Sequence, residues 1–174
     1  MAIDLTLKST YATDREATPK VLHNPGQGGA GIVRTAYGYL AAVPAALSVT
    51  SVIRMVDVPS NAMIQSIKLS SDAQTAGAFS VGVYRLPAEG GLVANTSSDQ
   101  FFTAAVSAAA ALVDVEAVML AVTLNTIAKR AMPLWQAIGM AADPQTRLDI
   151  CLTVTTTAVT TGTGAVALTV YYTL

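Results

Sequence analysis

Charge is scarce in this sequence. Asp, Glu, Lys and Arg make up 12% of its 174 residues, about half the usual share. Ten basic and eleven acidic side chains leave a formal net charge of -1. That balance excludes a protein that holds nucleic acid by neutralising phosphates, because nothing here would dominate the electrostatic encounter. Cysteine occurs once, as Cys151. No internal disulfide is therefore available, and a thiol inside an apolar run reads as buried and inert rather than as a nucleophile or ligand. Histidine also occurs once, as His23. A zinc site would then have to rest mainly on carboxylates, which is uncommon. A Ser-His-Asp triad would have to place its base in the most irregular part of the chain, although catalytic groups need rigid support. Aromatic residues are 6%, too few for a core built on rings.

What is abundant is small and weakly polar. There are 31 alanines and 21 threonines, and hydrophobic residues reach 52%. The length suits one domain, or one domain with an arm. A chain with so few charges has to place Ala, Thr, Ser and Gly on its surface. Such a surface is weakly hydrated, which favours contact with another subunit; the plain alternative is a stable monomer. Between Arg34 and Arg54 runs TAYGYLAAVPAALSVTSVI, uncharged and nearly long enough to cross a bilayer. Pro44, Gly38 and its hydroxyl residues speak against a membrane span, and Ala adds little insertion energy. The start, MAIDLTLKST, carries Asp4 and no apolar stretch, so no signal peptide is expected.

Residues 1–50 read as an extended arm and 51–174 as a β-sandwich domain. In the arm, charged residues precede His23-Asn24-Pro25 and a glycine-rich run, and the apolar residues follow no period. From Ser51 to Val58 β-branched residues predominate, closed by the turn Pro59-Ser60-Asn61. Met63, Ile67 and Leu69 then alternate with Ser66 and Lys68, and Phe79, Val81 and Val83 with Ser80, Gly82 and Tyr84. Leu148, Ile150, Leu152 and Val154, then Val166, Leu168, Val170 and Tyr172, form two alternating runs around Thr160-Thr161-Gly162-Thr163-Gly164. This spacing predicts an antiparallel hairpin. Residues 101–128 fit either an Ala-rich helix or strands around a loop, and the valines favour strands. Pro133 to Gly139 predicts one short helix, with Pro at its start and Gly just past its end. Short strands without a βαβ rhythm imply a mainly β fold, an antiparallel β-sandwich or jelly roll.

Candidate chemistry is thin. Gly26-Gln27-Gly28-Gly29-Ala30-Gly31 matches the dinucleotide fingerprint letter for letter. It lacks the preceding strand and any acid before Asp57, so a flexible hinge is the better reading. The acids Asp57, Asp72, Asp99, Asp114, Glu116, Asp143 and Asp149 are scattered. Asp114 and Glu116 would share one face of a strand and could form a carboxylate pair; a solvated strand edge is the competing reading. Asn95-Thr96-Ser97 is a chance glycosylation triplet without a secretory signal. Trp135, Tyr171 and Tyr172 suit core or interface anchors. Trp135 and Tyr84 are the starting points for an aromatic platform, should the sandwich bind carbohydrate. No catalytic, cofactor-binding or metal-binding residues are assigned.

Two stretches carry a resemblance. One is Val58-Pro59-Ser60-Asn61-Ala62 leading into Ile67-Lys68-Leu69-Ser70-Ser71-Asp72 and Val81-Gly82-Val83-Tyr84-Arg85. The other is Pro133 to Met140, then Ala142-Asp143-Pro144, Leu148-Asp149-Ile150 and the Thr-rich terminal region. Together they resemble virion structural proteins of tailed bacteriophages, of the capsid cement or decoration type. The resemblance covers roughly residues 50–174 and leaves the arm unmatched. It implies a non-enzymatic sandwich or jelly roll on the capsid exterior, often a homotrimer. Its partners would be the major capsid protein and its own copies, with no cofactor, nucleic acid or membrane. A head-fibre base, a tail protein and a carbohydrate-binding sandwich are the alternatives.

Overall fold

The computed structural model describes residues 33–44, 47–74, 77–85, 101–107, 111–116, 132–155 and 164–174, together with Lys8, Thr13 and Lys129. Among these the strands are β1 (Arg34–Leu40), β2 (Val52–Pro59), β3 (Met63–Ser71), β4 (Ala78–Tyr84), β5 (Thr103–Ser107), β6 (Leu112–Glu116), β7 (Arg147–Val154) and β8 (Val166–Thr173). A four-residue helix, α1 (Leu134–Ala137), precedes β7. Sheet one has the order β1-β8-β3-β6 and sheet two the order β2-β7-β4-β5. All pairings between these strands are antiparallel. The pairs are nested: first with eighth, second with seventh, third with sixth, fourth with fifth.

Alternation places the core between the sheets. Sheet one contributes Ile64, Ile67, Leu69, Val166, Leu168, Val170 and Tyr172. Sheet two contributes Ile53, Met55, Val58, Phe79, Val81, Val83, Leu148, Ile150 and Leu152. Each fully buried aliphatic or Phe side chain stabilises the fold by about 1.5–3 kcal/mol relative to exposure. The architecture is thus mainly β, two antiparallel sheets enclosing one apolar layer, as the periodicity implies.

The register departs from simple alternation at two informative places. In β3 the ladder shifts between Ile64 and Ser66. The bulge moves Ile64, not Met63, onto the face shared with Ile67 and Leu69; Ile64 is buried and Met63 half-buried. In β2 the shift lies between Arg54 and Val56, so that both Met55 and Val56 join the core. Gly38 of β1 packs against this second bulge. A Cβ on Gly38 would stand 2.3 Å from the carbonyl oxygen of Met55, so the two sheets meet backbone to backbone at this corner.

One sequence expectation needs correction. β7 and β8 do not form a hairpin: β7 pairs with β2 and β4, whereas β8 pairs with β1 and β3. Each strand's alternation reports which side is buried but not which strand lies alongside, so two good patterns flanking a glycine-rich loop mimic a hairpin. β1, with the buried residues Val43 and Leu47, lies within the stretch read as an arm. Finally, strands β5 and β6 fall within 101–128, but in different sheets; residues 117–128, apart from their sequence, lie outside the described ones.

The short helix sits where Pro133 and Gly139 imply, with Pro133 at the N-cap. The N–H of Leu134 donates to the carbonyl of Ala62 (2.8 Å) and that of Trp135 to Ser60 (3.0 Å), which fastens the helix to the β2–β3 turn. At the other end Met140 N–H donates to Trp135 and Gly139 N–H to Gln136, both at 3.0 Å. This doubly bonded C-terminal motif requires a left-handed residue, and Gly139 supplies it with φ +80°. Nothing crowds a Cβ there, so Gly139→Ala tests backbone strain alone. We expect a loss of about 1 kcal/mol in chemical denaturation; no loss would contradict the strain assignment.

Candidate functional site

The two outer faces of the sandwich differ. On sheet two, the side facing away from the core is itself buried and polar. Arg54, Asp57, Ser80, Asp149 and Thr153 are all at most 4% exposed, alongside a small apolar cluster of Val52, Tyr84 and Cys151. Asp57 and Asp149 stand directly opposite each other on β2 and β7, a repulsive arrangement if left alone. Two arginines resolve it. Arg54 Nε donates to Asp149 Oδ2 at 2.7 Å, with Nη2 at 2.6 Å from the same oxygen. Arg147 Nε donates to Asp57 Oδ2, and its Nη2 reaches the Asp57 carbonyl at 3.1 Å. Tyr84 and Thr153 share a hydroxyl–hydroxyl hydrogen bond of 2.7 Å. Both carboxylates are held by guanidinium groups, an arrangement that fixes strand position rather than one that presents an acid or base. From outside the strands, Lys8 forms a parallel bridge with Arg54.

Sheet one is open on its outer side. Successive outward residues of β1 and the residue before it, Val33, Thr35, Tyr37 and Tyr39, are exposed. Val33, Tyr37 and Tyr39 are 56%, 55% and 41% exposed, and they make up three of the four exposed large hydrophobic residues described. The ladder continues these positions inward in rows. Tyr37 pairs with Thr169, which pairs with Lys68, which pairs with Glu116; Thr35 pairs with Tyr171, and Tyr171 with Ser66; Tyr39 pairs with Ala167, and Ala167 with Ser70. Lys68 Nζ lies 6.0 Å from the Tyr171 ring centroid, at the outer limit of a cation–π contact. The surface is therefore aromatic at one edge, rich in hydroxyls across the middle and sparsely charged.

No protein-family model matches this sequence, and no curated protein matches it. Among solved structures, a chain of the capsid of Ralstonia phage GP4 matches with a TM-score of 0.61 at 18% identity, covering 95% of this chain and 96% of that one. This chain shares its overall fold with that chain. A chain of the cyanophage Pam1 capsid asymmetric unit is also similar, with a TM-score of 0.44 at 17% identity over 91% of this chain and 96% of that one.

On this fold the residues named from the sequence scatter. Asp72 Oδ2 accepts the backbone N–H of Ala165 (2.8 Å), and Asp143 Oδ1 accepts the hydroxyl of Ser60 and the N–H of Gln145 (2.9 Å); both acids tie turns. Asp114 and Glu116 lie on β6, an edge strand. Among the described residues no group of three His, Cys, Asp or Glu comes together to hold a metal, and no helix is long and apolar enough to cross a membrane. His23, the Gly26–Gly31 run, Asp99 and Asn95-Thr96-Ser97 lie outside the described residues. Cys151 is buried and is not in a disulfide. Tyr84 is buried and Trp135 half-buried, so the pair named for an aromatic platform does not form one. Tyr172 packs in the core while Tyr171 faces out. Among the described residues the exposed rings are Tyr37 and Tyr39, which sequence reading passed over. Their signal was the spacing Val33, Thr35, Tyr37, Tyr39, a period of two with the large residues on the solvent side.

Proposed function

We propose that this protein is a non-enzymatic structural component of a bacteriophage virion. It acts as a cement or decoration protein that binds the assembled major capsid protein lattice from outside and stabilises it, working as a homotrimer. The observation that carries this reading is the end-to-end fold likeness to a capsid chain, covering 95% of one and 96% of the other. The nested strand order supports a jelly roll, the winding in which early strands pair with late ones. The scarcity of charge supports adhesion through weakly hydrated surface. The acids Asp57 and Asp149 are engaged in holding strands together, which leaves the contact surface as the working part. In this reading the part of residues 1–50 that precedes β1 lies across neighbouring capsid subunits or protomers.

A ligand that binds only the assembled lattice stabilises it by mass action, by about 2.7 kcal/mol per site at a hundredfold excess over Kd. Purified protein added to undecorated capsids of the parent phage is therefore expected to co-sediment saturably and to raise the capsid melting temperature. Free protein left in the supernatant, with the melting temperature unmoved, would overturn the reading.

A further inference from the structure

We infer that the outer edge of β2 is the seat of a detachable strap, formed by the chain's own residues around Lys8, and that this strap keeps the Arg54–Asp149 pair out of water. The seat is independent of the capsid reading; what the strap does once it lifts rests on that reading.

The two layers are unequal. A sandwich turns one side of each sheet outward, and residues there are ordinarily polar and accessible. Sheet one follows the rule: outward residues of β1, β3 and β8 are exposed or half-buried. Sheet two does not, since Arg54, Asp57, Ser80, Asp149 and Thr153 are buried on its outward side. The register shows where chain from outside the strands reaches this sheet. Lys8, itself half-buried, forms a parallel bridge with Arg54. β2 is an edge strand of sheet two, with β7 on its inner flank. The bridge therefore occupies the flank that would otherwise present unpaired N–H and C=O groups. It is not a by-product of a turn: 46 positions separate the two residues (54 − 8), and β1, which belongs to the other sheet, intervenes. Bridged residues share a face of a ladder, so Lys8 stands on the side of the buried ions. This is strand addition within one chain, with β2 as the template.

The same comparison makes the strap detachable. Among the described residues it is held by one bridge, whereas β2 pairs with β7 along its whole length. Segments held by few bonds open first, while the rest of the domain stays closed. Lifting would wet the Arg54–Asp149 pair, bare the flank of β2 to a strand from another chain, and release the residues around Lys8 to lie across a neighbour.

The test is hydrogen exchange by NMR on the full chain, with no capsid present. The reporter is the Arg54 Nε–H, which donates to Asp149 Oδ2. Lys8→Pro with Ser9→Pro removes the strap's donor in either of the two parallel bonding patterns. Lys8→Ala with Ser9→Ala keeps those backbone donors. The proline pair is expected to lower the protection of the Arg54 Nε–H about tenfold or more, with Trp135 fluorescence and far-UV circular dichroism unchanged. The alanine pair should leave it within about twofold. A folded proline pair with Arg54 as protected as in wild type, or an alanine pair that loses as much as the proline pair, would overturn the inference. Should the proline pair not fold, wild type decides. In urea below the unfolding transition its Arg54 Nε–H is expected to exchange with a smaller urea dependence than the β7 amides of Ile150 and Leu152, because a local opening exposes less surface. Equal urea dependence would mean that the segment opens only with the whole domain, and would sink the strap. Capsid binding is measured separately; its failure would remove the role across neighbours and leave the strap standing.

Discussion

Asp149→Ala is expected to lower folding stability by about 3–5 kcal/mol, the cost of stranding one charge of a buried pair. Arg54 is 2% exposed, and its guanidinium lies 2.6–2.7 Å from the Asp149 carboxylate. Its surroundings include Val52, Tyr84 and Cys151, all nearly inaccessible to water, so Asp149→Ala takes a directly bonded carboxylate away from a desolvated positive charge. For a domain of this size the melting temperature should fall by roughly 10 °C. The pair itself adds little over an apolar replacement, because desolvating two charges offsets most of their attraction. Arg54→Met combined with Asp149→Leu should therefore recover most of the loss. Urea denaturation of the two variants decides the matter. A single variant within 1 kcal/mol of wild type, or a double variant no better than the single, would show that the pair does not behave as a desolvated unit.

Gly38→Ala should cost about 3 kcal/mol, near the upper end for overpacking by a single methyl group. The added carbon would sit 2.3 Å from Met55 O, 2.8 Å from Met55 C and 3.0 Å from Val56 Cγ1. Two of these neighbours are backbone atoms, held by the β2–β7 ladder on either side of the bulge, so they cannot swing away as a flexible side chain would. The mechanism differs from that at Gly139, where left-handed backbone is the sole objection. At Gly38 the objection is contact with a neighbouring backbone. Gly38→Ala losing less than Gly139→Ala in the same denaturation assay would refute this close approach.

The parts of the fold visible in the sequence are those in which alternation has a single cause. In β8, buried residues alternate with half-buried ones along the whole strand, and the pattern reads directly. In β4 and β7 both faces are buried, yet the inner face remains aliphatic and the outer one mixed, so the strands are still recognisable. β1 is hidden because its pattern is inverted. Its inward positions hold Ala36, Gly38 and Leu40, while Tyr37 and Tyr39 face solvent. Partner choice is hidden everywhere, because a strand's own residues do not encode its neighbour; the β7–β8 hairpin fails for that reason. The Arg54–Asp149 and Arg147–Asp57 pairs are hidden because the partners are 95 and 90 residues apart. Single charges inside β-branched runs are their only trace. Composition suggested a weakly hydrated surface in general terms, but the exposed tyrosine edge of sheet one is legible only from the register.

The nested pairing governs how the molecule comes into being. β8 lies between β1 and β3, so sheet one lacks its inner strand until residues 166–173 have been synthesised, and β1 has no ladder partner before then. Folding of that layer must therefore wait for residues 166–173, and such distant pairings are slow to find. During that interval the tyrosine-bearing strand is an unpaired ribbon. Until its own late-arriving strand joins it, that ribbon is open to pairing with another chain.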